Sequence, residues 1–358
     1  MISVQNYQTV YLLFVLFLTV LAFLRYNSSD PLVSREYNND SELAFALTAV
    51  MILFIGLRPV STVFADMPGY YYAMLDHRYE QASLSISGNF LFVLIMRSMS
   101  SIGTPPQMAI IVLAFINFFF TFIAAKKMFP GNVFVTMLIF FASFSTFSYA
   151  TNGLKAGCAS ALFLCALAYR DNWKVFVPFL IASFGFHHSM ELPIAVFLCC
   201  SFYKNTNFYL VFWLACLLIA AAHITFFQNF FANFTDDHGA KYLLGGNYGE
   251  RGGFRLDFII YSVVPIIIRQ YLVNNKNYIP SEEYTFIFNV YVLTNAIWLL
   301  CMYASYTNRI AYLSWCIYPI VLIYLFLKGE KSDVKSEAFP LVLLGNLFFT
   351  LFMAFVYA

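Results

Sequence analysis

The sequence predicts an all-α fold: a polytopic integral membrane protein of about 11–13 transmembrane or half-membrane helices. These would form one transmembrane domain over residues 1–358. Three observations carry this. The composition is 61% hydrophobic and 11% charged with a mean hydropathy of +0.73, against roughly 25% charged residues in an average soluble domain. Apolar runs about as long as a bilayer is thick recur along the chain, among them Met108–Ala125, Phe208–Phe227, Tyr284–Tyr303 and Ala338–Tyr357. A few polar and ionisable residues fall at the breaks: Arg58, Asp66, Lys155, His187, His188 and Arg309. Such groups are costly in hydrocarbon and usually face a cavity or a partner.

Taken in order, the apolar segments are 8–24, 43–57, 88–102, 107–125, 131–149, 157–169, 175–186, 189–202, 208–227, 256–273, 284–303, 309–327 and 338–357. The longest polar stretches, Arg58–Ser87 and Gln228–Gly253, leave no room for a soluble domain. Residues 8–24 read as a first span rather than a cleaved signal, because no small-residue cleavage site follows. The net charge of +2, with no basic run, gives no reason to expect nucleic acid as a partner. The seven cysteines (Cys158, Cys165, Cys199, Cys200, Cys216, Cys301 and Cys316) lie in or beside apolar segments without metal spacing. They read as small membrane hydrophobes. Neither a metal nor a cofactor is expected.

Lysine and arginine mark the cytoplasmic loops. Lys126 and Lys127, Arg170 and Lys174, Lys204, Arg269 and Lys276, and the Lys328, Lys331, Lys335 cluster are assigned inside. The outer side then receives Tyr149–Ala156, the His187/His188 turn, Gln228–Arg255 and Ala304–Asn308. Upstream of Lys126 the alternation closes only if 88–102 does not cross. That segment opens with Gly88 and Asn89 and ends in a serine-rich stretch around Arg97, so it is expected to be a half-helix lining a cavity. The 175–202 stretch is expected to be two short pieces around a polar turn at Gly185–Ser189. Broken helices of this kind mark binding sites at membrane depth.

Four constellations could carry chemistry. Arg58, Asp66 and the tyrosines Tyr70, Tyr71 and Tyr72 would, alone, be read as interface anchors. Asn152 and Lys155 occupy a polar turn on the outer side, where a lysine is unusual and points to function. His187 and His188 lack the acid or cysteine spacing that would complete a metal site. Proton transfer or a hydrogen bond to substrate suits them better. Arg309 and Tyr312 open a late span, where the guanidinium fork suits a phosphate.

In this order the residues resemble the EpsG-like branch of the Wzy polysaccharide polymerases. The Gly-Leu-Arg, Asp and Tyr of that family are matched by Gly56, Leu57, Arg58, Asp66 and Tyr70. Its Asn-x-x-Arg-Gln-x-x-Ala is matched by Asn152, Lys155 and Ala159. Its Phe-His-x-Ser and following proline are matched by Phe186, His187, Ser189 and Pro193, and its late Arg-x-x-Tyr by Arg309 and Tyr312. Lys155 replaces the family's arginine and Ala156 its glutamine, so a point charge stands where a bidentate fork is expected. Ala65 stands where the family has a glycine before the aspartate.

The resemblance implies a membrane glycosyltransferase with a GT-C-like fold, working at the outer face of the bacterial inner membrane. It would join oligosaccharide repeat units carried on undecaprenyl diphosphate. Its partners would be the lipid-linked donor and acceptor, membrane lipids and a chain-length regulator. Arg58, Lys155 and Arg309 would hold the leaving diphosphate, where charge develops. Asp66 or His187 would take the acceptor's proton, and Tyr70, Asn152, Tyr312 and Arg255 would contact substrate. The outer loop 228–255 is either solvated or a mobile sugar-binding lid bearing Asp236, Asp237, His238, Lys241, Tyr242, Tyr248, Glu250 and Arg251. Asp257 would pair with Arg255 or Arg251, or serve as a second base. A transporter of lipid-linked saccharides and a membrane acyltransferase are the rival readings. Charged residues gathered on one side favour the polymerase over a transporter, whose site must open to both.

Overall fold

The computed structural model describes residues 2–26, 40–84, 89–232, 243–244, 253–276, 278–328 and 335–357. Among these there is no strand, and the chain is an all-helical polytopic membrane protein. Five helical stretches are long and apolar enough to cross a membrane: Val4–Arg25, Pro106–Met128, Leu256–Asn275, Thr307–Leu327 and Ala338–Val356. Six shorter apolar helices accompany them.

The chain divides into two compact units, Met1–Glu191 with Phe326–Ala358, and Leu192–Leu325. In the first, α1 is Tyr7–Tyr26, α2 Asp40–Gly56, α3 Asp66–Leu75, α4 Phe90–Ser101, α5 Pro106–Met128, α6 Val133–Ala142, α7 Thr146–Thr151, α8 Leu154–Ala168 and α9 Trp173–Phe186. In the second, α10 is Glu191–Phe202, α11 Thr206–Ala221, α12 Phe226–Ala232, α13 Leu256–Lys276, α14 Glu282–Leu300, α15 Thr307–Trp315 and α16 Tyr318–Leu327. The first unit closes with α17, Lys335–Phe352.

The two expected interruptions are present. The 12-residue α4 rises only about 18 Å at 1.5 Å per residue, short of the roughly 30 Å hydrocarbon core. The 175–202 stretch splits into α9 and α10 around a tight 3-10 turn at His188–Met190. A third break departs from expectation, because the single segment 131–149 ends α6 at Ala142 and restarts as α7 at Thr146. Hydroxyls explain it. Ser143 Oγ donates to the Ile139 carbonyl (2.7 Å) and Thr146 Oγ1 to that of Phe140 (2.6 Å), so side chains replace the ladder bonds a continuous helix would make.

In the first unit α5 is the hub, packed by α2, α3, α6 and α8, while α8 packs on α9 and α9 on α4. From Gly157 to Ala168 every residue of α8 is buried, as expected of a helix apolar on all sides. Small groups set the spacing. A Cβ on Gly157 would meet Asn117 Nδ2 at 2.8 Å, and one on Gly56 would meet the Ile111 Cα at 2.9 Å, so both glycines let helices approach α5 closely. Cys158 and Cys165, seven apart on α8, donate to the carbonyls of Leu113 and Phe120, seven apart on α5, at 3.2 and 3.1 Å. The matched seven-residue spacing keeps the same faces of the two helices together over about two turns. The buried Asp40 carboxylate accepts the Val133 and Phe134 N–H groups, satisfying orphan donors at the start of α6.

The second unit is tied by a polar knot inside its apolar core. Asn295 Nδ2 donates to Ser262 Oγ (3.1 Å) and Ser314 Oγ (3.0 Å), and its Oδ1 accepts Trp213 Nε1 (2.8 Å). Trp315 Nε1 donates to Ser262 Oγ at 2.8 Å. One asparagine thus links α11, α13, α14 and α15 in a network whose members satisfy one another, the condition for burying polar groups without penalty.

Candidate functional site

Arg58 lies two residues beyond α2 and is completely buried. Nη1 donates to the Ile55 carbonyl (2.6 Å) and Nη2 to that of Thr151 (3.0 Å). Those carbonyls belong to the last turns of α2 and α7, where helix acceptors are orphaned and the dipole is negative. One cation therefore caps two helix C-termini at once. Gln107 Nε2 donates to the Gly56 carbonyl beside it. The guanidinium sits 5.4 Å from the Phe64 ring centroid, and Nε has no hydrogen-bond partner among the described residues. The expectation that Arg58 grips a diphosphate meets a side chain whose two terminal nitrogens already hold backbone.

Asp66 opens α3, and Tyr70 stands four residues on, on the same helical face. The chain reaches Asp66 through Ala65, whose φ is +28°. This is the region that favours glycine, which is the physical reason a glycine suits that position in the family. Lys155 is the second residue of α8. Its Nζ stands 5.6 Å from the Tyr70 ring centroid and 5.1 Å from that of Phe92, and those two rings are 5.2 Å apart. Asn152 lies between Arg58's acceptor Thr151 and Lys155, with a buried Oδ1 lacking a partner among the described residues. Thus Arg58, Asp66, Tyr70, Asn152 and Lys155 are linked through α3, the α7–α8 turn and Phe92 of α4.

His187 is extended (φ −154°, ψ 122°) and His188 opens the 3-10 turn, so the pair does not point apart as α-helical neighbours would, and their rings stack at 5.0 Å and 19°. His187 Nδ1 accepts the Ser189 N–H at 3.2 Å and lies 2.7 Å from Ser189 Oγ. Asn89, at φ +48°, accepts the His188 N–H through Oδ1 at 3.1 Å. The histidine turn is thereby pinned to the start of α4, whose third residue is the Phe92 under Lys155. Phe92 was not singled out from sequence, and Asn89 and Ser189 were read there only as a segment opening and a motif match, with no contact assigned to either. Only the short polar opening of the 88–102 segment hinted at Phe92.

Arg255, Arg309 and Tyr312 belong to the second unit. Arg255 grips Asp257 with both ends of its fork, Nε to Oδ1 at 3.0 Å and Nη2 to Oδ2 at 2.6 Å, and stacks 3.6 Å over the Phe258 ring. Asp257 is thus paired with Arg255, one of the two partners expected for it. Arg309 is the third residue of α15, exposed, with its guanidinium 5.0 Å from the Tyr306 ring centroid. Tyr306 precedes the helix at φ +52°, and Tyr312 is buried one turn on. The other loop residues, Asp236, Asp237, His238, Lys241, Tyr242, Tyr248, Glu250 and Arg251, lie outside the described residues.

Lys155 and Arg309 share a geometry that neither spacing nor composition announced. Each sits in the first turn of a helix, where the dipole is already positive and a cation costs about 0.3–1 kcal/mol, and each lies against a tyrosine ring. A cation at a helix N-terminus adds to the unpaired N–H groups there, and the combination attracts anions. Arg58, at two C-termini, is the opposite case. Among the described residues no group of three or more His, Cys, Asp and Glu is placed to hold a metal.

Fold and site together define a polytopic helical membrane protein in which each unit holds a cation in the first turn of a helix beside an aromatic ring. The family comparison narrows this. The EpsG family model matches residues 43–358, and the chain belongs to the EpsG family, which associates it with polysaccharide biosynthesis at a membrane. Comparison with curated proteins and with solved structures gives no match.

Proposed function

We propose that this protein is a membrane glycosyltransferase that polymerises oligosaccharide repeat units carried on undecaprenyl diphosphate, at the outer face of a bacterial inner membrane. The observation that carries the proposal is the placement of Lys155 and Arg309 in first helical turns, each against a tyrosine. A cation in a first helical turn strengthens the positive potential there, which favours an anionic ligand.

In the reaction a hydroxyl of the acceptor unit attacks the anomeric carbon of the donor chain. The bond from that carbon to the diphosphate oxygen breaks, and the lipid diphosphate leaves with its electron pair. Lys155 neutralises the charge that develops on it, and Arg309, in the second unit, is a further proposed anion contact. Asp66, an acceptor-only group when ionised, takes the hydroxyl proton. His187 has the other role. Its Nδ1 accepts the Ser189 N–H, so the neutral ring carries its proton on Nε2 and donates rather than accepts there. Arg58 works through the turn it ties, by fixing the Thr151 carbonyl ahead of Asn152 and Lys155. Tyr70, Tyr312 and Arg255 are the proposed saccharide contacts.

Cells carrying Asp66→Asn in place of the natural chain should lose polymer and accumulate single repeat units on lipid at the outer leaflet. Accumulation at the inner leaflet instead would mean that the protein moves lipid-linked units rather than joining them.

A further inference from the structure

The first unit holds a cleft of about 500 Å³ between α4, α5, α8 and α9. Its walls are apolar, with Leu91 and Ile95 from α4, Ile116 from α5, and Pro178, Ala182 and Phe186 from α9. Lys174, exposed near the start of α9, is the one charged residue lining it. The α9 residues recur at positions i, i+4 and i+8, so they form one stripe along the helix. A 14-residue helix runs about 21 Å at 1.5 Å per residue. The cleft is therefore long and apolar, the shape of a chain rather than of a headgroup.

Two of its walls lead to the candidate site. Phe186 is followed directly by His187, and Leu91 by Phe92, whose ring lies 5.1 Å from the Lys155 ammonium. The end of the cleft formed by Leu91 and Phe186 thus lies one residue along the chain from the histidine turn and from the ring beside Lys155, while Lys174 marks the other end. A ligand with an anionic head at Lys155 and a long hydrocarbon tail would lay the tail along this cleft.

We propose that the cleft between α4 and α9 binds the isoprenoid chain of the lipid-linked substrate. This rests on the polymerase reading for the identity of the lipid. It adds a binding site distinct from the diphosphate and saccharide contacts. The chain lies along the Pro178–Ala182–Phe186 stripe, and the diphosphate emerges between Lys155 and His187.

The test uses the full chain in nanodiscs and a polyprenyl diphosphate bearing a diazirine within its hydrocarbon, without sugar, so that binding is read apart from glycosyl transfer. Photolysis should label peptides of α4 and α9. An excess of unlabelled polyprenyl diphosphate should cut the labelling about tenfold, whereas the same amount of phosphatidylglycerol should leave it nearly unchanged. Ala182→Trp, which fills the cleft, should reduce the labelling, and it should raise the KM for long-chain donors while sparing turnover of a donor on a short isoprenoid. Labelling confined to other helices, or equal competition by phospholipid, overturns the proposal. The two ideas fail separately: labelling of α4 and α9 without polymer formation sinks the polymerase reading alone, and polymer formation with labelling elsewhere sinks the cleft alone.

Discussion

The Lys155 ammonium stands 5.6 Å from the centre of the Tyr70 ring, joining the first turn of α8 to the helix that Asp66 begins. The contact ties together two motifs 85 residues apart in the chain. A cation resting on aromatic rings is held in place while keeping its charge, which suits a group that must meet an anion.

Lys155 therefore separates an anchor from a ligand contact. Lys155→Gln should lower turnover sharply, because it keeps the stem and loses the charge. Lys155→Arg should retain much of the activity or exceed it, by adding a second donor to the same phosphate. The measurement is polymer formed per membrane-inserted protein. A silent glutamine variant would remove Lys155 from the site.

Ala65 carries a positive φ immediately before Asp66. Strain of this kind costs on the order of 1 kcal/mol or more in a non-glycine residue. Ala65→Gly should relieve it, leaving thermal stability in detergent unchanged or higher. Ala65→Val should lower it, since a branched side chain tolerates that backbone least. A marked loss of stability in the glycine variant would show that the backbone there is not strained.

Arg58 and Arg309 should part company in stability. Arg58→Ala leaves two buried helix-end carbonyls without their donors, each worth roughly 1.5–3 kcal/mol when the donor is charged. Arg309 is exposed, and Arg309→Ala should leave the melting temperature nearly unchanged. Both variants should make little polymer. Equal melting temperatures would place Arg58 with the ligand-binding cations rather than behind them.

The helices were legible where apolar runs are long, since period and length decide them. The interruptions at 88–102 and 175–202 were legible from Gly88, Asn89 and the Gly185–Ser189 turn. The break after Ala142 was hidden, because Ser143 and Thr146 read as part of a span until their hydroxyls are seen bonding backbone carbonyls. The site residues could be gathered by motif but not sorted by role. Whether an arginine meets a helix end at its C-terminus, as Arg58 does, or opens one, as Arg309 does, depends on where helices stop, and boundaries are the least certain part of a sequence reading. The tautomer of His187 depends on the Ser189 amide, which no spacing reveals.

The orientation can be checked with cysteines. A membrane-impermeant thiol reagent added outside should label cysteines placed at Asn152 and Tyr306 and miss those at Lys127 and Asn172. The reverse pattern would turn the candidate site toward the cytoplasm and remove it from exported substrate.

The most direct measurement is made with purified protein in nanodiscs, supplied only with undecaprenyl-diphosphate-linked repeat units. The account predicts a ladder of lengthening saccharides, with one lipid diphosphate released for each new linkage, and no ladder with Asp66→Asn. Repeat units left single by the natural protein, or a full ladder from the asparagine variant, would contradict it.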